Sequence, residues 1–173
     1  LDFIVRNGSL LKIGSPSISR RVRFAVTGNS SELECNNFYL RSPATLSVGG
    51  QSLLNAKGDF LYENTDPNSL VIENAYFLMD GPQAQRLEVG GRDSGPGGFA
   101  SRNFGYSQLI VGGTNQTSVV RLVDTINNGN RGAGGEPEAL YLYGMDGTGL
   151  RILNGSKLVL GSINAYAQVS GQM

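Results

Sequence analysis

Five short segments of this chain share one pattern, Leu-x-(Val/Ile/Leu)-Gly. They are Leu11-Lys12-Ile13-Gly14, Leu46-Ser47-Val48-Gly49, Leu87-Glu88-Val89-Gly90, Leu109-Ile110-Val111-Gly112 and Leu158-Val159-Leu160-Gly161. Three of them run on into a second glycine, at Gly50, Gly91 and Gly113. Apolar side chains at alternate positions share one face of an extended strand, and the glycine closes the strand with a turn. A strand-plus-turn unit that recurs in the same local form predicts a repetitive β architecture. The copies start 35, 41, 22 and 49 residues apart. A step of 22 suits one coil of a parallel β-helix, and the longer steps suit two coils carrying insertions.

The rest of the sequence agrees with that class. Strand candidates, most of four or five residues, run almost end to end, among them Phe3–Val5, Val22–Val26, Glu32–Cys35, Leu70–Ile72, Tyr76–Met79 and Ala139–Tyr143. The best helical candidate, around Ser52 to Lys57, is too short to stand alone. Glycine makes up 25 of 173 residues. Together with abundant asparagine, that supplies the positive φ angles of many tight turns. Asn7-Gly8, Asn128-Gly129 and Asn154-Gly155 suit either hairpins or the corners of a solenoid. The expectation is an all-β, right-handed parallel β-helix (a β-solenoid) of about six to eight coils, with a β-sandwich as the alternative. Residues 1–173 form a single domain in this reading. It is a fragment of a longer secreted surface protein, because the chain begins without Met inside what reads as a strand, Leu1 to Val5.

Lys plus Arg and Asp plus Glu number 14 each. A neutral chain lacks the basic surface that displaces counterions from nucleic acid, so no nucleic-acid partner is expected. The bias of Arg6, Lys12, Arg20, Arg21 and Arg23 against Asp2 alone reads as a solvated edge. No apolar run is long enough to span a bilayer, so no membrane insertion is expected. Cys35 is the only cysteine, and alternation places it with Leu33 on the apolar face as a structural thiol. There is no histidine, which removes imidazole acid–base chemistry and histidine-ligated zinc.

Two glycine-rich stretches break the strand rhythm: Gly90 to Asn103 and Asn127 to Pro137. Loops of this kind leave a stack of coils undisturbed and often carry function. The successive N–H groups of the first, around Asp93, suggest an anion cradle, although no phosphate-loop signature accompanies them. In the second, Asp124 with Asn127, Asn128 and Asn130 presents the oxygen-rich set that a hard cation takes, so calcium is the one cofactor these residues suggest. Tyr141 and Tyr143 are two apart and share a strand face opposite Leu140 and Leu142. If the leucines fill the core, the tyrosines form an exposed pair beside Arg92 or Arg121, either a platform for a sugar ring or an aromatic ladder covering the end of the solenoid. No carboxylate pair stands at a spacing that specifies a glycosidase or lyase site.

The C-terminal half carries a characteristic order of motifs. Leu87-Glu88-Val89-Gly90-Gly91-Arg92-Asp93 is followed by Asn103-Phe104 and Leu109, then Val120-Arg121-Leu122-Val123-Asp124. The polar turn Asn127 to Asn130, Glu138-Ala139-Leu140-Tyr141, Leu158-Val159-Leu160 and Asn164-Ala165-Tyr166 complete it. This order resembles the C-terminal region of autotransporter-like secreted bacterial proteins, many of them sorted by a PEP-CTERM-type tail. The resemblance covers residues 59–167. It implies an extracellular or cell-surface β-helix and carries over no catalytic residues. Lys157 to Tyr166 stand in the place of the family's usual closing motif, and no hydrophobic tail follows them before Met173. The function expected is therefore a structural or adhesive module without catalytic activity, whose partners are extracellular polysaccharide or cell-surface components. The alternatives are a carbohydrate-binding module and a polysaccharide-processing β-helix.

Overall fold

The computed structural model describes residues 2–15, 17–18, 21–100 and 103–169. Leu1 and Arg20 of the readings above lie outside them. The strands follow one another in triplets. The first is β1 (Asp2–Arg6), β2 (Leu10–Ile13) and β3 (Ser17–Ile18), and the second is β4 (Arg23–Thr27), β5 (Glu32–Cys35) and β6 (Phe38–Arg41). The third is β7 (Thr45–Val48), β8 (Leu53–Ala56) and β9 (Phe60–Glu63). Next, the long β10 (Leu70–Met79) does the work of two strands and β11 (Gln85–Glu88) follows it. The long β12 (Tyr106–Val111) and β13 (Val119–Val123) repeat that arrangement. Last come β14 (Leu140–Leu142), β15 (Leu150–Ile152), β16 (Lys157–Val159) and β17 (Ala165–Ala167).

The protein is all-β and its sheets are parallel. Strands pair with their counterparts in the triplets before and after, giving an 11-stranded and a 6-stranded sheet. Among the described residues, no two strands consecutive in sequence pair with each other. The hairpins of the sandwich alternative are therefore missing. Asn7 (φ 57) and Gly8 (φ 74) form a corner: β1 enters it paired to β4, and β2 leaves it paired to β5. Asn154 and Gly155 do the same between β15 and β16.

Parallel stacking places like side chains above one another. Val5, Val26, Val48, Ile72, Tyr106 and Leu142 form one inward ladder. Leu11, Leu33, Leu54, Phe77, Leu109 and Leu150 form a second. Phe38, Phe60, Leu87 and Leu122 form a third. Strand spacing of about 4.8 Å lets rings in one ladder stack face to face, as Phe38 and Phe60 do at 5.4 Å. Each fully buried Leu, Val or Phe contributes about 1.5–3 kcal/mol. The expected inward residues Leu46, Val48, Leu87, Val89, Leu109 and Val111 are all buried. So is Cys35, whose thiol burial pushes up to about 12.

Two expectations are corrected. Ser52 to Lys57 is not helical but contains β8, because Leu54 and Ala56 continue the ladders that run through Leu33 and Cys35. The five Leu-x-(Val/Ile/Leu)-Gly segments are also not equivalent. They lie in β2, β7, β11, β12 and β16, which belong to three different rows of strands. The 22-residue step from Leu87 to Leu109 joins two rows. The step that does return to the same row runs from Leu11 to Leu33. In the fifth copy Leu158 packs on the core, whereas Leu160 is exposed.

Candidate functional site

A groove of about 350 Å³ opens where β10 and β12 fall out of step. Ile72 pairs with Tyr106 and Tyr76 with Gln108, so four residues on β10 span what two span on β12. Glu73 to Ala75 thus stand opposite Ser107 alone, and the two surplus residues bulge from the ladder. Asn74 turns through a left-handed φ of 50°, and its carbonyl accepts from Gln51 N–H at 2.6 Å. This leaves Glu73 and Asn74 exposed at the rim. Leu70, Val71 and Phe104 line the apolar part of the groove, and Phe99 and Tyr143 contribute partly exposed rings. The sequence carried a sign of this bulge, since Leu70–Ile72 and Tyr76–Met79 read as two strands with a gap between them. Nothing in it placed Phe99 or Phe104 opposite that gap.

The aromatic wall is held from behind by the Gly90–Asn103 loop. Gly91 and Ala139 exchange backbone hydrogen bonds at 3.1 and 2.6 Å. The Asn103 amide clamps the Arg92 backbone, accepting from its N–H at 2.6 Å and donating to its carbonyl at 2.7 Å. Phe99 meets the rings of Tyr141 and Tyr143 edge-on, each at 5.3 Å between centroids. Glycine is required at two contacts here: a Cβ on Gly98 would overlap the Tyr141 hydroxyl, and one on Gly105 would overlap the Tyr143 ring.

The predicted sugar platform is only partly present. Leu140 and Leu142 fill the core, which turns Tyr141 and Tyr143 to the opposite face. Tyr141 is nevertheless buried. It stacks on Tyr166 at 5.0 Å, and its hydroxyl accepts from Ser94 N–H and is within donating distance of the Arg92 and Gly95 carbonyls. Tyr141 is thus a buttress under the loop, and burial raises its phenol. Arg92 is exposed but is not among the residues that line the groove. Of the three predicted residues, Tyr143 alone lines it.

The loop's N–H groups do not form an open anion cradle. Gly95 N–H donates to Asp93 Oδ1 at 3.1 Å, and Ser94 N–H is taken by Tyr141. Asn164 and Tyr166 also donate to Asp93, at 2.7 and 2.8 Å. Burial works to raise this carboxyl, but the three donors outweigh it and hold Asp93 below its ordinary value.

The calcium set does not converge either. The cation facing Asp124 is Arg131, whose Nη2 lies 2.7 Å from Oδ1 and whose Nε lies 3.1 Å from both carboxylate oxygens. Asn127 Oδ1 accepts from Gly129 N–H, closing its own turn. Asn128 is fully buried: its Oδ1 accepts from Asn64 N–H, and its amide nitrogen donates to Val89 O. Asn130 donates to Gly90 O at 2.6 Å. These residues pin the Asn127–Pro137 loop against β11 instead of encircling an ion.

Sequence reasoning weighed Glu88 and Glu138 only as exposed carboxylates and missed that they are buried and organise this loop. Glu138 is buried and accepts from Asn130 N–H at 2.8 Å and from Asn128 N–H at 3.3 Å. Glu88 is also buried and accepts from Thr125 Oγ1 at 2.7 Å and from Ile126 N–H at 2.9 Å. Burial raises both carboxyls and carries Glu88 to about 7. Strand alternation correctly points Glu88 outward. Only the loop folding over it makes it buried.

Comparison with protein-family models, with curated proteins and with solved structures gave no match. No helix among the described residues is long and apolar enough to cross a membrane.

Proposed function

We propose that this chain is a right-handed parallel β-helix serving as a structural or adhesive module of a bacterial extracellular or cell-surface protein, without catalytic activity of its own. The observation that carries the reading is the stacking of equivalent strands, triplet upon triplet, along the described chain. Such a stack is extended and stiff, and it presents loops on its flanks without disturbing its core. The motif order that resembles autotransporter-like proteins supports the extracellular setting. The engagement of Glu88, Glu138 and Asp124 with loop N–H groups and with Arg131 supports a scaffolding role for these carboxylates.

Displaying the chain on a bacterial surface carrier tests the adhesive role. Displaying cells are expected to be retained on polysaccharide-coated or abiotic surfaces more strongly than cells bearing the carrier alone. Equal retention on every surface, or depolymerisation of an acidic polysaccharide by the purified chain, would overturn the proposal. A crystal structure decides the handedness of the coil.

A further inference from the structure

We propose that the groove beside the β10 bulge is a saccharide-binding site, with Phe99 and Tyr143 as its stacking rings and Asn74 as its rim donor. The inference supplies a ligand class for the adhesive role above and rests on that reading only for its biological setting. A pyranose ring offers an apolar C–H face and a periphery of hydroxyls. A complementary site needs aromatic surface bordered by hydrogen-bonding groups. The groove has both: the Phe99 and Tyr143 rings stand beside Asn74, exposed at the rim, while Asn103 and Ser107 of the lining are held by the Arg92 backbone and the Ile72 carbonyl. Its volume of about 350 Å³ lies within the range of small-ligand sites.

The rings are already set before any ligand arrives. Phe99 is wedged edge-on between two tyrosines, and Phe104 stacks on buried Tyr62 at 5.5 Å. Preorganised rings lose little freedom on binding, which favours affinity. The principal competing occupant is an extended peptide, and the topology disfavours it. Peptides that add to sheets need an open strand edge. Here β10 is paired to β7 and β8 on one side and to β12 on the other. Neither edge of β10 is therefore open along its paired residues, and the Asn74 carbonyl at the bulge is taken by Gln51 N–H, so recognition falls to the rings and the Asn74 side chain.

Affinity electrophoresis through gels containing a β-glucan, a galactomannan, a soluble chitin derivative or polygalacturonate tests the site. At least one polysaccharide is expected to retard the protein. Tyr143→Ala is expected to weaken that binding about tenfold or more, as truncating a buried aromatic anchor does. Because Tyr143→Ala also disturbs the loop, Asn74→Gly is the second variant: glycine keeps the left-handed backbone and removes only the rim amide. It is expected to weaken binding several-fold with an unchanged circular dichroism spectrum, while Lys157→Ala at the exposed first position of β16 leaves retardation as in the parent. Absence of retardation by every polysaccharide overturns the proposal, as does retardation that survives both Tyr143→Ala and Asn74→Gly. So does a fluorescent apolar peptide that binds in a Tyr143-dependent way while no saccharide does. Surface adhesion that persists without any saccharide binding sinks this site and leaves the adhesive reading standing.

Discussion

Thr125 donates a 2.7 Å hydrogen bond from Oγ1 to Oε2 of Glu88, across 37 residues of sequence, and so fastens the loop after β13 over a carboxylate on β11. Burial raises the Glu88 carboxyl to about 7, with Asp124 adding to the rise and the donors Thr125 and Ile126 opposing it. Glu138 is shifted the same way.

The sign of the resulting pH dependence follows from linkage. A carboxyl whose folded value lies above its unfolded value binds more protons in the folded state. The stability from protonated Glu88 is therefore fully present below its ordinary range near 4.5 and is lost as pH rises towards 7. The midpoint of urea unfolding should fall between pH 5 and pH 8. In Glu88→Gln that part of the slope should vanish, and the variant should gain on the parent as pH rises. A parent-minus-variant difference that is flat with pH would contradict this.

Val111 is fully buried in an inward ladder, whereas its neighbour Ile110 is half-exposed on the outer face. Val111→Asp introduces a charge with no partner and should cost several kcal/mol, enough to abolish cooperative unfolding. Ile110→Thr should cost about 1 kcal/mol or less. Thermal melts of the two variants check the register of β12, and the reverse order of damage would show it to be wrong.

Gly97 and Gly98 are neighbours with opposite surroundings. A Cβ on Gly97 meets nothing within 4 Å, whereas one on Gly98 collides with the Tyr141 ring and hydroxyl. Gly98→Ala should destabilise by about 1–3 kcal/mol as an overpacked site, and Gly97→Ala should stay within about 0.5 kcal/mol. Equal melting temperatures for the two would argue against Tyr141 as the buttress of the loop.

Arg131 stands where a cation beside Asp124 would sit. Melting temperatures in EDTA and in millimolar calcium should therefore coincide. A site holding calcium at 100 times its dissociation constant would add about 2.7 kcal/mol, a shift that calorimetry would not miss. Arg131→Ala should lower the melting temperature by leaving Asp124 without its main partner.

The Cys35 thiol is buried, and burial lifts it to about 12. Because only the thiolate reacts, a disulfide reagent at pH 8 should modify no Cys35 in the folded protein and one thiol per chain in denaturant. Rapid labelling under native conditions would contradict the placement of β5.

Strand identity and facing were legible in the sequence because both are local. Alternation of side chains is a property of extended backbone, so Leu46, Val48, Leu109 and Val111 had to lie on one face of their strands wherever those strands went. The glycine and Asn-Gly turns were equally local, since they answer to single φ angles. Which row each strand joined was not local. Asn7-Gly8 suits a hairpin as well as a corner, and it became a corner because β2 found its partner in β5, 22 residues on from Leu10 at Glu32. The site depended on the same long-range pairing. Tyr141 and Tyr143 have the same parity on one strand, yet the first is buried beneath Arg92 to Phe99 and the second opens onto a groove. Their difference comes from a loop some 40 residues earlier. Glu88 points outward by alternation and is buried by tertiary structure, and Asp124 is met by the guanidinium of Arg131. Burial and hydrogen-bond partnership are set by what the fold lays over a residue, and no window of sequence around that residue contains it.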